Sequence, residues 1–242
     1  MLVATYNVHR FRGHAGLPRP QRTLGVVAEI APDVIALQEA MGMFGTLRQP
    51  FPDAALRAIG LKALPLPHGA GQSWCSNMIL LRDDARILRQ PALLRLGGLE
   101  PRGAISVVLD LGEGPFHLLA THLSLGAQHR RSQATSLLEA FRQHPDMSTL
   151  IMGDLNEWRH RGSVLSVLAE DFGCSARVAS YPSFMPRLAL DHVVSGPGGV
   201  VTDVHVHDTP AARWASDHLP VVARFDLCEA SVMTLPKFSI AA

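Results

Sequence analysis

The sequence predicts an α/β (α+β) fold in which two mixed, mainly antiparallel β-sheets pack face to face with helices on the outside. Three observations carry this. Nine short runs rich in Val, Ile and Leu, most of them bounded by Gly, Pro, Asp or Asn, read as strands: residues 2–8, 34–38, 77–81, 104–111, 116–123, 149–154, 190–194, 200–206 and 220–227. Several of these follow one another directly as hairpins, as where Gly112-Glu113-Gly114-Pro115 turns the chain. Helical periodicity appears in only three places, too few for the alternating strands and helices of a doubly wound parallel sheet.

The first helix follows the first strand. Leu24, Val27, Ala28 and Ala31 share a face behind Pro20, a residue suited to a first helical turn. Residues 64–71 are Pro-rich and read as a surface loop. A second helical stripe, Ala134, Leu137, Leu138 and Phe141, leaves Arg130, Arg131, Glu139 and Arg142 off the apolar face. A third, Val164, Leu165, Leu168 and Phe172, has Ser163 as its candidate cap. Residues 181–187 read as another surface loop. The weakly patterned residues 229–242 read as a partly ordered extension to one catalytic domain over residues 1–228.

A chain of 242 residues, 47% apolar and only 6% aromatic, affords one domain with a large aliphatic core and excludes disorder. The net charge of +1, with Lys62 and Lys237 as the only lysines, lacks the basic excess of a dedicated duplex-DNA binder. Cys75, Cys174 and Cys228 have neither disulfide-framework nor zinc-knuckle spacing, and free buried or semi-buried thiols are expected. No run is long enough to span a membrane, and residues 1–7 lack the basic start and length of a signal peptide, so a cytoplasmic enzyme is expected.

The polar residues fall at strand ends. Asn7 closes the first apolar run, Glu39 the second, His122 the fifth, and Asp154 with Asn156 the sixth; Asp191 opens the seventh and Asp217-His218 precedes the last. Strands sharing a sheet deliver such ends into one crevice. The gathered polarity exceeds what a structural core tolerates without a ligand, and clustered carboxylates call for a cation. Hard oxygen donors suit Mg²⁺, Mn²⁺ or Ca²⁺ better than Zn²⁺.

Thr5-Tyr6-Asn7-Val8, the segment 33–39, Thr121-His122-Leu123, Gly153-Asp154-Leu155-Asn156, Leu190-Asp191-His192-Val193 and Ser216-Asp217-His218-Leu219-Pro220 together resemble the endonuclease/exonuclease/phosphatase (DNase I-like) superfamily, in particular its uncharacterised bacterial branch. The resemblance spans nearly the whole chain and implies a four-layer sandwich. It further implies a Mg²⁺-dependent phosphoester hydrolase, with Mn²⁺ as a possible substitute, that works by in-line attack of water. Glu39 would hold the metal, with Asn7 and Asp217 beside it. His218, oriented by Asp191, would be the base or transition-state stabiliser. Asp154 and Asn156 would position water and phosphoryl oxygens, and His122 would donate to the phosphate or the leaving oxygen. Arg102, Asn77 and His9 are the candidate substrate-binding residues, while Arg130 and Gln133 match a structural helix pattern.

One position departs from the repair nucleases of the family: His9, followed by Arg10, stands where they carry an acidic residue. The loop to Arg19, with Arg12 and His14, could bind an anionic head group. The substrate expected is therefore a phosphoester, small-molecule, lipid or nucleic acid, with no specific protein partner. A DNA or RNA nuclease and a non-catalytic binding module are the alternatives. His68, His205 and His207 have no counterpart in the motifs; the last two alternate along a strand and read as solvated.

Overall fold

A computed structural model of the chain describes residues 1–14, 16–41, 50–67, 73–159, 162–173 and 176–228. The strands are β1 (Leu2–Asn7), β2 (Val34–Gln38), β3 (Leu61–Ala63), β4 (Met78–Arg82), β5 (Arg86–Gly97), β6 (Arg102–Asp110), β7 (Pro115–His122), β8 (Thr149–Asp154), β9 (Asp191–Ser195), β10 (Gly199–Val206) and β11 (Val221–Leu227). The helices are α1 (Pro20–Ile30), α2 (Asp53–Arg57), α3 (Ala127–Arg142), α4 (Ser163–Leu168) and α5 (Pro210–Ala215), with a 3-10 turn at His9–Phe11. One sheet runs β10-β11-β1-β2-β4-β3 and the other β5-β6-β7-β8-β9.

Period-two alternation builds the layers. On β2, Val34 and Ala36 face the opposing sheet while Ile35 and Leu37 face the helices. On β8, Leu150 and Met152 point inward and Ile151 outward. Strands buried on both faces read as unbroken apolar runs, which is why these were legible. Three cores result. Val3, Ile79, Ile105, Leu118, Leu150 and Phe225 meet between the sheets. Val26, Val27 and Ile30 of α1, Leu56 of α2 and Ala212 of α5 cover the first sheet. Ala134, Leu137 and Phe141 of α3, with Val164 and Leu168 of α4, cover the second. The four layers are thus helix, sheet, sheet, helix, as the sequence predicts.

Several elements differ from expectation. β3 and β5 are additional strands. β5 is the edge of its sheet, and its register shifts between Ile87 and Arg89, Arg89 and Ala92, and Arg95 and Gly97. These bulges pair the apolar residues as Ile87-Leu88 and Leu93-Leu94, destroying the alternation, and Pro91 is tolerated because the strand is an irregular edge. α2 and α5, of 5 and 6 residues, are too short for a periodic stripe. In α1 the buried face is Thr23, Val26, Val27 and Ile30, and Ala28 is exposed. Ser163 does not cap α4. The N-cap is Gly162, and the Ser163 hydroxyl instead donates to Glu157 Oε2 at 3.1 Å.

Arg130 and Gln133 are buried on α3, in keeping with the structural helix pattern they match. Leu64 is buried and so is Ser183, so the two Pro-rich segments are only partly surface loops. Cys75 is half-buried but Cys228 is exposed. His207 is not free in solvent: its Nε2 lies 2.9 Å from Glu29 Oε2. Cys174, His68 and residues 229–242 lie outside the described residues.

One buried pair of rings makes the fold acid-sensitive. His117 of β7 sits with Nε2 2.8 Å from Ser106 Oγ and its ring 4.6 Å from that of half-buried His144. Burial, reinforced by His144 and Arg89, pushes its pKa down to about 3. The group is neutral in the native state and protonates near pH 6.5 in the unfolded chain. Its contribution is therefore complete above about pH 6.5 and is lost as pH falls from there toward 3. Urea unfolding at about pH 4 is expected to cost the wild type about 3 kcal/mol through this residue, and His117→Gln is expected to lose that much less between pH 7 and 4. Equal losses in both proteins would refute the assignment.

Candidate active site

The topology explains why six chain segments converge. β1 and β2 run parallel, with Asn7 opposite Gln38, so Glu39 leaves the sheet beside Asn7. β7 and β8 run parallel, with His122 opposite Asp154. β9 is antiparallel to β8, so its first residue, Asp191, pairs with Asp154. β11 is antiparallel to β1 with Thr5 opposite Val221, which brings the residues before Val221 alongside Asn7. The two sheets meet where Asn7 Nδ2 donates to Asp154 Oδ2 at 3.0 Å.

Asp154 is the hub. Its Oδ1 accepts from the Asn156 amide at 2.9 Å, and its Oδ2 lies 3.4 Å from His122 Nε2 and 3.9 Å from His218 Nε2. Gly153 is required beside it: at φ +158°, any Cβ would sit 1.9 Å from the Thr121 carbonyl oxygen. Asn156 lies at φ 52°, in the left-handed region, and its Nδ2 donates to the Leu123 carbonyl at 2.9 Å. Arg102 Nη1 donates to His122 Nδ1 at 2.7 Å, which puts the ring proton on Nε2, toward Asp154. Burial, opposed by Asp154 and reinforced by Arg102 and His218, drives the His122 pKa down to about 3 and keeps the ring neutral.

His218 is oriented from behind. Its Nδ1 donates to Asp191 Oδ2 at 2.8 Å, and Ser180 Oγ donates to the same oxygen at 2.5 Å. The Tyr181 ring tilts against the imidazole at 4.7 Å between centroids. Burial opposes charge on His218, but Asp191, Asp154 and Asp217 overcome it and carry the pKa up to about 10.

Glu39 and Asp217 offer the more open carboxylates, with 25% and 29% side-chain exposure. Glu39 sits at φ 54°, a strained placement of the kind that collects at functional sites. Among the described residues Glu39 has Arg10 Nε at 3.6 Å and Asp217 has His9 Nδ1 at 3.5 Å, both beyond hydrogen-bond length. Asn7 Oδ1 accepts from the His9 amide at 3.0 Å. Among the described residues, Asp154, Asp191 and His218 form another compact trio, with ligand atoms within 4.8 Å. That trio is already matched donor to acceptor through the Asp191–His218 hydrogen bond. Two under-used carboxylates that share a cavity wall with the Asn7 amide suit a hard divalent cation better, one that takes few carboxylates and keeps several waters.

The cavity encloses about 310 Å³ and is lined by Asn7, Glu39, Arg102, His122, Asp154, Asn156, Asp217 and His218, with Leu125, Trp158, Tyr181, Leu188 and Leu190. The structure therefore gathers eight sequence-predicted residues around one space, with Asp191 directly behind them. Asn77 is not on the wall. It is fully buried, and its Nδ2 donates to the Gly103 carbonyl at 3.0 Å and to those of Trp74 and Cys75 at 3.3 Å, so it shapes the backbone before β6. His9 also stands off the wall, with Nδ1 2.9 Å from the Gly13 carbonyl. The apolar wall, Ser180 and Tyr181 were not foreseen. Only Trp158, two residues past Asn156, had a positional signal.

Residues 4–218 match the model of the Endonuclease/Exonuclease/phosphatase family. No curated protein sequence matches the chain. An endonuclease/exonuclease/phosphatase from Beutenbergia cavernae DSM 12333 is similar in structure at 22% identity, covering 95% of this chain and 72% of that one, with a TM-score of 0.72. The human Nocturnin catalytic domain with bound sulfate anion is similar at 21% identity, covering 94% of each chain, TM-score 0.70. The mannosyl-6-phosphatase Bt3783 of Bacteroides thetaiotaomicron VPI-5482 is similar at 15% identity over 93% of this chain and 99% of that one, TM-score 0.66. The matched span runs from inside β1 to His218 and takes in every residue of the cavity's polar wall. The chain belongs to the endonuclease/exonuclease/phosphatase family, and its two sheets form the DNase I-like α/β sandwich.

Proposed function

We propose that the protein is a Mg²⁺-dependent phosphoester hydrolase. One observation carries the reading. A single cavity joins the carboxylates of Glu39, Asp154 and Asp217, the imidazoles of His122 and His218, and Arg102, whose buried Nε has no hydrogen-bond partner among the described residues. A buried donor left unmade is costly, and a phosphoryl oxygen would satisfy it.

Glu39 and Asp217 would hold the metal, with Asn7 beside them. Bound there, Mg²⁺ supplies positive charge for the phosphoryl and leaving oxygens, with Mn²⁺ as a substitute. Arg102 and Asn156 bind phosphoryl oxygens. Asp154 orients the attacking water, being the carboxylate that faces the Nε2 atoms of both imidazoles. As water oxygen bonds to phosphorus, the opposite P–O ester bond breaks; one proton leaves the water and one reaches the departing oxygen. His218 moves a proton at Nε2, with Nδ1 held by Asp191, and His122, carrying its proton on Nε2, serves the other side of the phosphoryl group.

The test is turnover of a panel of sugar phosphates, nucleotides, oligonucleotides and phospholipids with Mg²⁺, Mn²⁺ or chelator. Hydrolysis that chelation abolishes is expected, and Glu39→Gln is expected to raise the Mg²⁺ concentration for half-activation by about ten-fold or more. Turnover that survives chelation, or no turnover on any member, would sink the proposal. Cleavage confined to oligonucleotides would make the protein a nuclease.

A further inference from the structure

Among the described residues eight large apolar side chains stand exposed, and six of them line the cavity or stand within three residues of a lining residue; Leu17 and Val200 do not. On one side Leu125 and Trp158 line the mouth itself, 69% and 39% exposed. Leu99 stands out from the turn before Arg102, which is tied to that lip through Gln133, whose Nε2 donates to the Gly97 carbonyl at 2.7 Å and to Ser124 Oγ at 2.9 Å. The other side is formed by the loop after Tyr181 with Phe184 and Met185 and by α5 with Trp214 just before Asp217, and the loop after His9 that carries Leu17 packs against both through His14. They are pinned together. The His14 ring lies 6.2 Å from that of Phe184 and 6.1 Å from that of Trp214, and its Nε2 is 2.6 Å from the Arg213 carbonyl oxygen. Gly13 is pressed so close that a Cβ there would be 2.5 Å from the Trp214 carbonyl oxygen. The apolar groups are thus held outward by a built scaffold.

The same three segments carry one sign of charge. Residues 9–22, 181–190 and 209–216 contain six arginines and no Asp or Glu, in a chain whose net charge is only +1. Arg213 is paired with Asp208, and Arg10 faces Glu39. Arg12, Arg19, Arg22 and Arg187 have no carboxylate partner among the described residues. Outward apolar side chains flanked by unpaired arginines are the chemistry of an anionic lipid interface.

We propose that the face around the cavity mouth docks on an anionic lipid bilayer, its two apolar lips entering the interface and its arginines meeting the headgroups. The aliphatic members of the lips, Leu17, Leu99, Leu125 and Met185, favour acyl chains over a nucleic acid, whose bases stack on aromatic rings. Leu188 and Leu190 continue the apolar surface into the cavity. A phosphoester with an apolar tail would thereby reach the polar wall without leaving apolar contact; this last step alone rests on the hydrolase reading.

The test is co-sedimentation of the full chain with phosphatidylcholine vesicles, with and without phosphatidylglycerol. It requires no turnover, so it holds or fails independently of the phosphoester chemistry. Retention by the phosphatidylglycerol vesicles at low salt, with a blue shift of tryptophan fluorescence, is expected. The double variant Phe184→Ser, Trp214→Ser, shown folded by circular dichroism, is expected to partition about ten-fold less or weaker still. Arg19→Glu with Arg187→Glu is expected to lower retention similarly and to flatten its salt dependence. Absent retention, or retention that neither pair of substitutions changes, overturns the proposal. So does binding of a single-stranded oligonucleotide that these substitutions abolish while vesicles stay unbound.

Discussion

Asp154→Asn is expected to lower kcat on any phosphoester the protein hydrolyses by about three orders of magnitude or more, with KM changed far less. The carboxylate joins both imidazoles to the other sheet: Oδ2 takes the Asn7 amide at 3.0 Å and stands 3.4 Å from His122 Nε2 and 3.9 Å from His218 Nε2. Asparagine is nearly isosteric and its oxygen can still accept from the Asn156 amide. Its NH₂, however, must face another NH₂ on Asn7, whose oxygen is held by the His9 amide at 3.0 Å. That conflict costs about 1–3 kcal/mol of stability, too little to unfold a domain with three apolar cores. The variant therefore separates charge from shape. Circular dichroism should report a folded protein, and single-turnover kinetics a chemical step slowed as much as kcat. If Asp154→Asn turns over within ten-fold of the wild type, Asp154 does not orient the nucleophile.

The residues of the polar wall were legible because a strand buried on both faces ends sharply. Asn7, His122 and Asp154 each follow an unbroken apolar run, and parallel or antiparallel pairing then fixes which of them meet. What could not be read obeys no period. Leu125, Trp158 and Leu188 line the cavity from loops, where an exposed apolar residue carries no positional signal. β5 was hidden by its bulges, and β3 by having three residues. The role of Asn77 was obscured because a polar residue that spends its hydrogen bonds on backbone carbonyls looks, in sequence, like one that faces a ligand, whereas Arg130, which does the same, was marked as structural by its helix pattern. Asn77 serves three carbonyls, and Arg130 serves Ser124 and Leu125.

Arg130→Met is expected to destabilise the protein by about 3–5 kcal/mol, the largest loss expected from a single side chain far from any substrate contact. Arg130 is 2% exposed and Glu157 1% exposed, with Arg130 Nη2 3.6 Å from Glu157 Oε2. The same guanidinium donates to the carbonyls of Ser124 and Leu125, so it fastens the β7–α3 loop to the segment that follows Asn156. Glu157 is built in from its other side as well, through Ser163 Oγ at 3.1 Å and the Arg159 amide at 3.2 Å. Gly162 lies so close that a Cβ would be 1.9 Å from the carboxyl carbon. With methionine at position 130 the carboxylate keeps two neutral donors and loses its ion-pair partner among the described residues, a buried charge left uncompensated. The companion variant Arg130→Met, Glu157→Gln removes that charge and is expected to recover a large part of the loss, a coupling that urea unfolding of the four proteins would measure. An additive double variant would mean that the pair is held apart by water and that α3 is anchored by packing alone. Recovery would instead show that one ion pair sets the spacing between Leu125 and Trp158, and hence the width of the mouth through which substrate must pass.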